Sequence, residues 1–349
     1  MRLAGCTLIP YRLPLRQPWV SASGGFAVRE GRLIKLETDA GLIGYGDCAP
    51  LPQAGTENLE CADSRLAAWA KELPGMSPEA ALNQLGAATA GAPAARCGIE
   101  TAVLDLLAQQ AGLSLARWLN PCSPSVVKVN AMIGCLDRQA IARALAAVKA
   151  GFSVLKLKVG MALPKEEIAL LREMVDGLPP GISLRLDANC AWDMGAAEDF
   201  LGALSGLPVE SVEDPLANPD VLGLSRLQAA VPFSLAADES LLKIGEDALI
   251  DCLSVRRIIL KPMVQGGVLP ALSLARRAQA ADLECVVTTT VDSAAGTFAA
   301  LHLAVAVANG LAHGLSTSAW LASDLGCAPQ PIESRMKLGA GAGLGFALG

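Results

Sequence analysis

Short apolar runs that end in charged residues recur through the middle of the chain. Between positions 154 and 261, five such runs are rich in Val, Ile and Leu, and turn residues and a helical pattern follow each of them. This repeated strand–helix alternation predicts a parallel sheet. The charged residues near the ends of the runs are Lys156, Lys158, Asp187, Glu213, Asp238 and Lys261. Because parallel strands all point the same way, we expect these side chains to meet at one end of the sheet.

Eight strand candidates alternate with seven helix candidates in the same pattern. The strands are predicted over 127–134, 154–160, 183–189, 209–215, 233–240, 256–262, 283–289 and 311–317. The helices are predicted over 136–150, 164–176, 194–205, 219–230, 243–251, 268–281 and 293–308. A strand about every 25 residues favours a closed TIM-like α/β barrel, which has no strand edge to protect. An open doubly wound sheet usually carries a Gly-rich phosphate turn after its first strand, and G-C-L-D at 134–137 is not such a turn.

A different pattern precedes this barrel. Period-two alternation over residues 1 to about 50 predicts three antiparallel strands, and helical spacing predicts helices between 56 and 119. We therefore predict an α+β unit over 1–120, the barrel over 121–320, and a Gly-rich tail over 321–349 that returns to the first unit. The Ser- and Gly-rich segment 17–26 is predicted to be a loop, either a mobile connection or a lid.

Composition narrows the possible functions and locations. The 349 residues carry a net charge of −6 without a basic run, which argues against nucleic acid and membrane surfaces as partners. Prolines near the start interrupt the apolar stretch that a secretion signal needs, so a cytoplasmic location is expected. The ten cysteines are irregularly spaced, and Cys135, Cys252 and Cys285 lie in apolar runs, which predicts scattered core thiols. The most apolar helix candidate, 294–308, is too short to span a bilayer and is predicted to be buried in the barrel.

Lys156 and Lys158 lie two residues apart on a predicted strand, so both point to the same face. Their apolar neighbours leave no polar face that would suit a solvated edge. Two like charges in a low-dielectric site lower each other's pKa. This interaction can make a lysine a usable base near neutral pH, so the pair is predicted to be catalytic.

Asp187, Glu213 and Asp238 lie at equivalent ends of three successive predicted strands. Each alone could cap a helix, but three together are better explained by a metal site with oxygen ligands. Since the chain has only two histidines, a zinc-type site is disfavoured. Carboxylates favour Mg²⁺, with Mn²⁺ as a substitute. Asp214 and Glu239 directly follow two of these ligands and are expected behind them or at the barrel rim.

Further polar residues surround the predicted site. Lys261 ends the sixth strand opposite Lys158, where it either serves the reaction or forms a salt bridge to a carboxylate. Arg185 and Asn189 share a face with Asp187 and are candidates to orient it or to bind substrate. The end of the seventh strand offers hydroxyls that either bind an anion or reflect β propensity alone, on Thr288, Thr289 and Thr290.

The chain carries neither a G-x-S-x-G nucleophile motif nor a G-x-x-x-x-G-K-[ST] phosphate loop. The remaining chemistry is removal of a proton beside a carboxylate, with a metal stabilising the enediolate. The expected partner is therefore a small anionic carboxylate substrate.

The order of these motifs resembles that of the enolase superfamily, in its muconate-lactonising subgroup. The motifs are K-x-K at 156–158, D-A-N at 187–189, E-D-P at 213–215, D-E-S at 238–240 and K-P at 261–262. E-D-P departs slightly from the commoner E-E-P or E-Q-P but keeps the ligand glutamate. The resemblance implies an N-terminal capping domain, completed by the tail, over a (β/α)7β barrel. It also implies that Lys158 removes the proton, Lys156 tunes Lys158, Lys261 stabilises the enediolate by cation–π contact, and the three carboxylates hold Mg²⁺.

Within the superfamily the chain is most similar to the o-succinylbenzoate synthase family of menaquinone biosynthesis, which are lyases. The similar segments include L-R-L-D-A-N-C-A-W at 184–192, G-Y-G-D-C-A-P-L-P at 44–52 and H-G-L-S-T at 313–317. T-T-T-V-D-S at 288–293 departs from the S-S-x-x-E-S of that family. Dipeptide epimerases and N-acylamino-acid racemases of the same subgroup are the alternatives. The epimerases resemble each other in an acidic D-x-D after the eighth strand, where this chain has L-S-T-S at 315–318.

Overall fold

Three antiparallel strands open the chain, as the alternating pattern predicts. The computed structural model describes residues 1–22, 24–87 and 91–349. The strands are β1 (Leu3–Ser21), β2 (Gly24–Thr38) and β3 (Ile43–Cys48), with β2 in the centre of the sheet. Because β1 and β2 continue almost to their connection, the predicted loop over 17–26 is largely a hairpin. Ser23, within that segment, lies outside the described residues.

Four helices follow this sheet along the described part of the chain. They are α1 (Leu59–Glu72), α2 (Pro78–Ala87), α3 (Pro93–Gln110) and α4 (Leu115–Leu119). Glycines in β3 let α3 approach closely, since a Cβ on Gly46 would lie 1.9 Å from the carbonyl oxygen of Gly98. A Cβ on Gly44 would likewise lie 2.2 Å from the carbonyl oxygen of Ala102. As a result α3 is buried along most of its length.

Strands and helices then alternate as a (β/α)7β barrel, which confirms the predicted fold. The strands are β4 (Val126–Val129), β5 (Ala131–Cys135), β6 (Val154–Lys158), β7 (Ser183–Asp187), β8 (Val209–Glu213), β9 (Ser234–Ala237), β10 (Arg257–Leu260), β11 (Glu284–Val287) and β12 (Ala312–His313). The helices are α5 (Ala140–Lys149), α6 (Pro164–Gly177), α7 (Met194–Ala203), α8 (Val221–Ala230), α9 (Glu239–Ile244), α10 (Glu246–Cys252), α11 (Pro262–Gln265), α12 (Val268–Ala280) and α13 (Ala294–Val307).

The barrel is built on a parallel sheet of seven strands, β5 to β11, in sequence order. Its two edges are joined because β12 pairs with β4 and Thr288 bridges to Gly314. The prediction of one strand over 127–134 is wrong, since Asn130 separates β4 from β5. The two halves have different partners: β5 pairs with β6, whereas β4 pairs with β12 and with the tail strand β13 (Arg335–Lys337).

Two further elements differ from their predicted form. The helix expected over 243–251 is the pair α9 and α10, which Gly245 separates with a left-handed φ of 97°. The strand expected over 311–317 is only the short β12, followed by a 3₁₀ turn over Ser316–Trp320.

The main core lies between the barrel strands and the helices around them, and a smaller cluster of Ala236, Ile259 and Val286 lies apart from it. Leu155, Leu186 and Leu260 are fully buried, and α13 is buried on nearly all sides, as its apolar pattern predicts. No helix among the described residues is long and apolar enough to cross a membrane. The cysteine prediction holds for Cys285 but is wrong for Cys252, which is exposed at the end of α10, and Cys135 is half-buried.

The tail contacts the helical part of the N-terminal unit. The backbone N–H of Leu115 donates to the carbonyl of Gly343, and that of Gly343 donates to Leu113. Leu344 N donates to Asp105 Oδ1 at 2.7 Å. Domain boundaries at residues 120 and 320 stay a prediction.

Candidate active site

Charged side chains gather at the carboxyl ends of the barrel strands because neighbouring strands are in register. Lys158 lies beside Asp187, and Asp187 lies beside Glu213, across β6, β7 and β8. Asp238 and Lys261 directly follow β9 and β10. The structure therefore brings the predicted lysines and carboxylates together at one end of the barrel.

Lys156 and Lys158 both contact Asp187, as expected for side chains on one face of a strand. Lys156 Nζ lies 2.8 Å from Asp187 Oδ2 and 2.6 Å from Glu213 Oε2. Lys158 Nζ donates to Asp187 Oδ2 at 2.7 Å and to Asn189 Oδ1 at 2.8 Å. A carboxylate and an amide thus fix the position of the Lys158 ammonium.

The pKa of Lys156 is not lowered, contrary to the expectation from the lysine pair. Burial acts to lower this pKa, but Asp187, Glu213 and Asp238 outweigh burial and raise it above the ordinary value. Burial alone would raise the pKa of Asp187, yet Lys156 and Lys158 hold it well below its ordinary value. The expectation fails because three carboxylates face the Lys156 ammonium in addition to the second lysine.

Asp187, Glu213 and Asp238 offer a set of carboxylate oxygens that fits a hard divalent cation. Glu213 Oε1 is buried and has no hydrogen-bond partner among the described residues. Burial, followed by the charge of Asp187, raises the pKa of Glu213 to about 8. Asp238 accepts a hydrogen bond from Lys261 Nζ. A cation between these carboxylates would satisfy the unpartnered oxygen and offset their mutual repulsion.

A second group of possible ligand atoms belongs to Cys190, Asp214 and Glu239, which lie within 4.8 Å of one another. Both oxygens of Asp214 are already occupied, since they accept hydrogen bonds from the backbone N–H groups of residues 238–240. Burial, followed by the charge of Asp214, raises the pKa of the Cys190 thiol to about 12, so it is a poor metal ligand. The predicted position of Asp214 behind the ligands agrees with these bonds. Glu239 instead lines a cavity with Lys158 and Lys261.

The predicted substrate contacts separate into two groups. Asn189, Thr289 and Thr290 line the same cavity as Lys158 and Lys261. Thr288 does not line it, because its hydroxyl donates to the carbonyl of Gly314 on the next strand segment. Of the three threonines, only two therefore lie where a substrate would contact them.

Arg185 does not lie where its motif predicts. Arg185 precedes Asp187 by two residues on β7. Its Nε donates to Glu210 Oε1 at 2.6 Å, and its Nη1 donates to the carbonyl of Ala312. The Arg185 side chain lies at the amino ends of the strands, where it lines a cavity together with Arg257. A role for Arg185 in binding the substrate is therefore wrong, because its guanidinium is drawn to the opposite mouth of the barrel.

Aromatic side chains close the catalytic end. The Lys158 ammonium lies 5.8 Å from the centroid of the Trp19 ring, and Trp19 packs edge-on against Trp320 at 5.0 Å. Trp19 and Lys158 line both a cavity of about 260 Å³ and one of about 60 Å³. Trp320 is a site residue that the sequence pattern does not single out. Its signal is an aromatic side chain three residues after the predicted eighth strand, in a chain with only 4% aromatic residues.

The turn after β12 carries hydroxyls and no charged side chain. Ser316 Oγ donates to the carbonyl of Asn130 at 2.6 Å, and the hydroxyls of Thr317 and Thr289 share a hydrogen bond. Ser316, Thr317 and Ser318 are buried. The turn itself therefore offers no carboxylate that could hold an ammonium group, and Asp137, which lines the 260 Å³ cavity, is paired with Arg143.

Two family models match the chain in tandem. The model described as "Mandelate racemase / muconate lactonizing enzyme, N-terminal domain" matches residues 5–119. The model described as "Enolase C-terminal domain-like" matches residues 139–348.

Curated relatives with different activities resemble the chain. A hydrophobic dipeptide epimerase from Enterococcus faecalis is 29% identical over 96% of both chains. An N-succinyl-L-Arg/Lys racemase from Bacillus cereus is 25% identical over 87% of this chain and 84% of the racemase. An o-succinylbenzoate synthase from Thermosynechococcus vestitus is 32% identical over 68% of both chains. The crystal structure of a dipeptide epimerase from Enterococcus faecalis, in complex with Mg and L-Leu-L-Tyr, superposes with a TM-score of 0.91 at 28% identity, covering 99% of each chain.

Proposed function

The chain belongs to the enolase superfamily, and from that premise we propose that it is an o-succinylbenzoate synthase. It dehydrates 2-succinyl-6-hydroxy-2,4-cyclohexadiene-1-carboxylate, a small dianion, through an enediolate. The observation that carries this proposal is the uncharged turn over Ser316–Trp320. A dipeptide brings an ammonium group, for which this turn offers no counter-ion, whereas a substrate with two carboxylates needs none. The similarity to the synthase of Thermosynechococcus vestitus supports the same reaction.

The two lysines at the cavity have different roles in the proposed reaction. Lys158 Nζ, held by Asp187 and Asn189, takes the proton from the carbon beside the substrate carboxylate when it is a neutral amine, and it becomes the ammonium in this step. The same group then returns a proton to the departing hydroxyl, which leaves as water while the ring becomes aromatic. Lys261, which lines the same cavity, places positive charge beside the enediolate.

Asp187, Glu213 and Asp238 would hold a divalent ion, which we propose to be Mg²⁺, with Mn²⁺ as a substitute. When bound, the ion supplies Lewis-acid stabilisation of negative charge on the substrate carboxylate. Mg in the complex of the Enterococcus faecalis epimerase supports this choice. The proposal needs no nucleic acid or membrane as a partner.

The direct test is to mix the purified protein with the cyclohexadiene and Mg²⁺ and to follow the loss of diene absorbance. We expect rapid loss that stops in excess EDTA. The absence of dehydration by protein that is folded and loaded with Mg²⁺ would contradict the proposal.

The second candidate is an N-acylamino-acid racemase. It is favoured by the similarity to the Bacillus cereus racemase, which extends over more of the chain than the similarity to the synthase. An N-succinyl amino acid also lacks an ammonium group, so the uncharged turn does not exclude it. In this reaction Lys261 would be a second acid/base. Incubation with N-succinyl amino acids in D₂O, followed by mass spectrometry, would reveal it as deuterium at the α-carbon.

A further inference from the structure

A second cavity lies at the other mouth of the barrel, where the strands begin. Its volume is about 700 Å³, larger than either cavity at the catalytic end. The first residues of five barrel strands line it: Val154, Val209, Ser234, Arg257 and Glu284. None of the residues assigned to the proposed reaction borders it, so that reaction gives the cavity no role.

Two buried arginines carry donors that the described part of the chain does not use. Arg185 and Arg257 are only 5% and 3% exposed. Arg185 bonds through Nε and Nη1, and Arg257 bonds through Nε and Nη1 to Glu284, Glu210 and Ser211. In the described part of the chain, the Nη2 atom of each arginine makes no hydrogen bond, and neither Nη2 atom is fully buried. Both side chains line the cavity, so these free N–H groups are available to a ligand there.

The charge around the cavity favours an anion. Its lining has three cationic side chains, Lys128, Arg185 and Arg257, against two anionic ones, Glu210 and Glu284. Glu210 Oε1 already accepts from both arginines, which holds the two guanidinium groups on either side of it. A planar guanidinium presents paired donors that match carboxylate and phosphate oxygens.

We infer that this basal cavity, lined by Lys128, Arg185, Arg257, Glu210 and Glu284, binds a compact oxyanion at the Nη2 groups of the two arginines that Glu210 leaves free. The ligand chemistry is a phosphate or a pair of carboxylates, with at least two acceptor oxygens. The inference is independent of which reaction the catalytic end performs. The competing explanation is that the ion pairs of Arg185 and Arg257 only stabilise the amino-terminal end of the barrel and bind no ligand.

Calorimetric titration of the purified, metal-free full chain tests this inference. Inorganic phosphate and malonate are the two probes, in separate arms at constant ionic strength set with sodium chloride. Saturable binding of at least one probe is expected, and the arm that binds identifies the source of the oxygens. Heat no different from the chloride blank in both arms would overturn the inference.

Two substitutions locate the bound anion. Arg257→Lys keeps the charge but removes the paired donors, so affinity should fall roughly tenfold. Glu284→Gln removes a negative charge from a side chain that is 38% exposed, so affinity should rise. The matched control is Arg12→Lys, an exposed arginine paired with Glu30 on the N-terminal sheet, which should change nothing. Binding indifferent to both cavity substitutions would place the anion among the catalytic lysines and contradict the inference. If Arg257→Lys fails to fold, the Glu284→Gln result decides alone.

Discussion

Lys158 is placed to move the proton, so its removal should have the largest effect on turnover. Lys158→Ala should lower turnover by roughly 10²–10⁴-fold, the usual contribution of a positioned general base. The lost function is measured both as dehydration and as deuterium exchange at the substrate's acidic carbon. Lys165→Ala, at an exposed lysine on α6, is the matched control and should keep full activity. Near-normal turnover of Lys158→Ala would mean that another group is the base.

Substitution of Asp238 distinguishes a metal site from a cluster of ion pairs that binds no metal. Asp238→Asn should abolish turnover and weaken Mg²⁺ binding, because it removes a charged oxygen ligand while keeping the shape of the side chain. Calorimetric titration with Mg²⁺ measures the affinity, and circular dichroism checks the fold. Asp251→Asn, at an exposed position on α10, serves as the control. Unchanged Mg²⁺ affinity, or full activity in excess EDTA, would remove the metal from the mechanism.

For single residues, the sequence predicts the side chains that the register of the strands brings together. It misses the side chains whose position depends on the conformation of a long, flexible chain of atoms. Lys158, Asp187 and Glu213 were predictable because successive parallel strands align their ends. Arg185 lies on the same strand, but its long side chain follows Glu210 towards the opposite mouth. Spacing along a strand fixes which face a residue occupies, and it does not fix where a flexible side chain ends.

The β1–β2 hairpin places Trp19 beside Lys158, and both side chains line the 60 Å³ and the 260 Å³ cavities at this end. We therefore expect Trp19 to pack against the bound substrate. Trp19→Ala should raise KM roughly five- to tenfold through lost aromatic packing, while Trp19→Phe should largely preserve it. Steady-state kinetics measure both values, with Trp118→Ala on α4 as the control. An unchanged KM for Trp19→Ala would show that the hairpin does not touch the substrate.

His302 ties helix α13 to α4 and to the tail. Its Nδ1 accepts from the backbone N–H of Ala116 at 2.9 Å, so the ring is neutral and Nε2 donates to the carbonyl of Leu344 at 2.9 Å. Burial lowers the pKa of His302 from 6.5 to about 4. Between these values the unfolded chain binds more protons than the folded one. The stability that the neutral ring provides above pH 6.5 is therefore lost as pH falls towards 4, by up to ~3 kcal/mol.

His302→Gln tests this linkage, since glutamine has no proton to gain in that range. The variant should be less stable than the original chain near neutral pH but should lose less stability on acidification. Urea unfolding at pH 7.5 and at pH 4.5 measures the two losses. Equal losses in both proteins would show that His302 does not contribute to the acid sensitivity.

Among the elements, the predicted strands and helices of the barrel follow from apolar periodicity, and the exceptions have local causes. The first barrel strand divides at Asn130 because β4 must pair with β12 and with β13. The tail partner of Lys128 is Arg335, which lies 207 residues away in sequence. Gly245 divides a predicted helix in two. Neither a distant partner nor a single backbone torsion is visible in the local pattern of apolar residues.

For the molecule as a whole, the N-terminal unit and the barrel meet through a buried carboxylate. Asp47 of β3 accepts from the Tyr11 hydroxyl at 2.6 Å and from both the backbone and the hydroxyl of Ser293 at the start of α13. Arg29 donates to the carbonyl of Val291 on the barrel side. These bonds position the hairpin that carries Trp19 over the strand ends, so the catalytic end depends on both parts of the chain.

The overall architecture and its family could be predicted because the motifs stand in a fixed order on successive strands. The specific reaction could not, since synthases, epimerases and racemases of this superfamily are predicted to share the same lysines and carboxylates. We propose that the chemistry of the substrate's far end separates them, and that the uncharged turn over Ser316–Trp320 bears on it through Trp320, which lines the 260 Å³ cavity. That contact depends on the placement of hydroxyls and of Trp320 rather than on a motif.

The most direct test compares two reactions on one preparation of the protein with Mg²⁺. One is dehydration of the cyclohexadiene, and the other is α-proton exchange of N-succinyl amino acids in D₂O, each expressed as kcat/KM. A synthase should dehydrate far faster than it exchanges, because its site is built for a substrate that becomes aromatic. A larger kcat/KM for exchange than for dehydration would contradict the proposed function and make Lys261 a second acid/base.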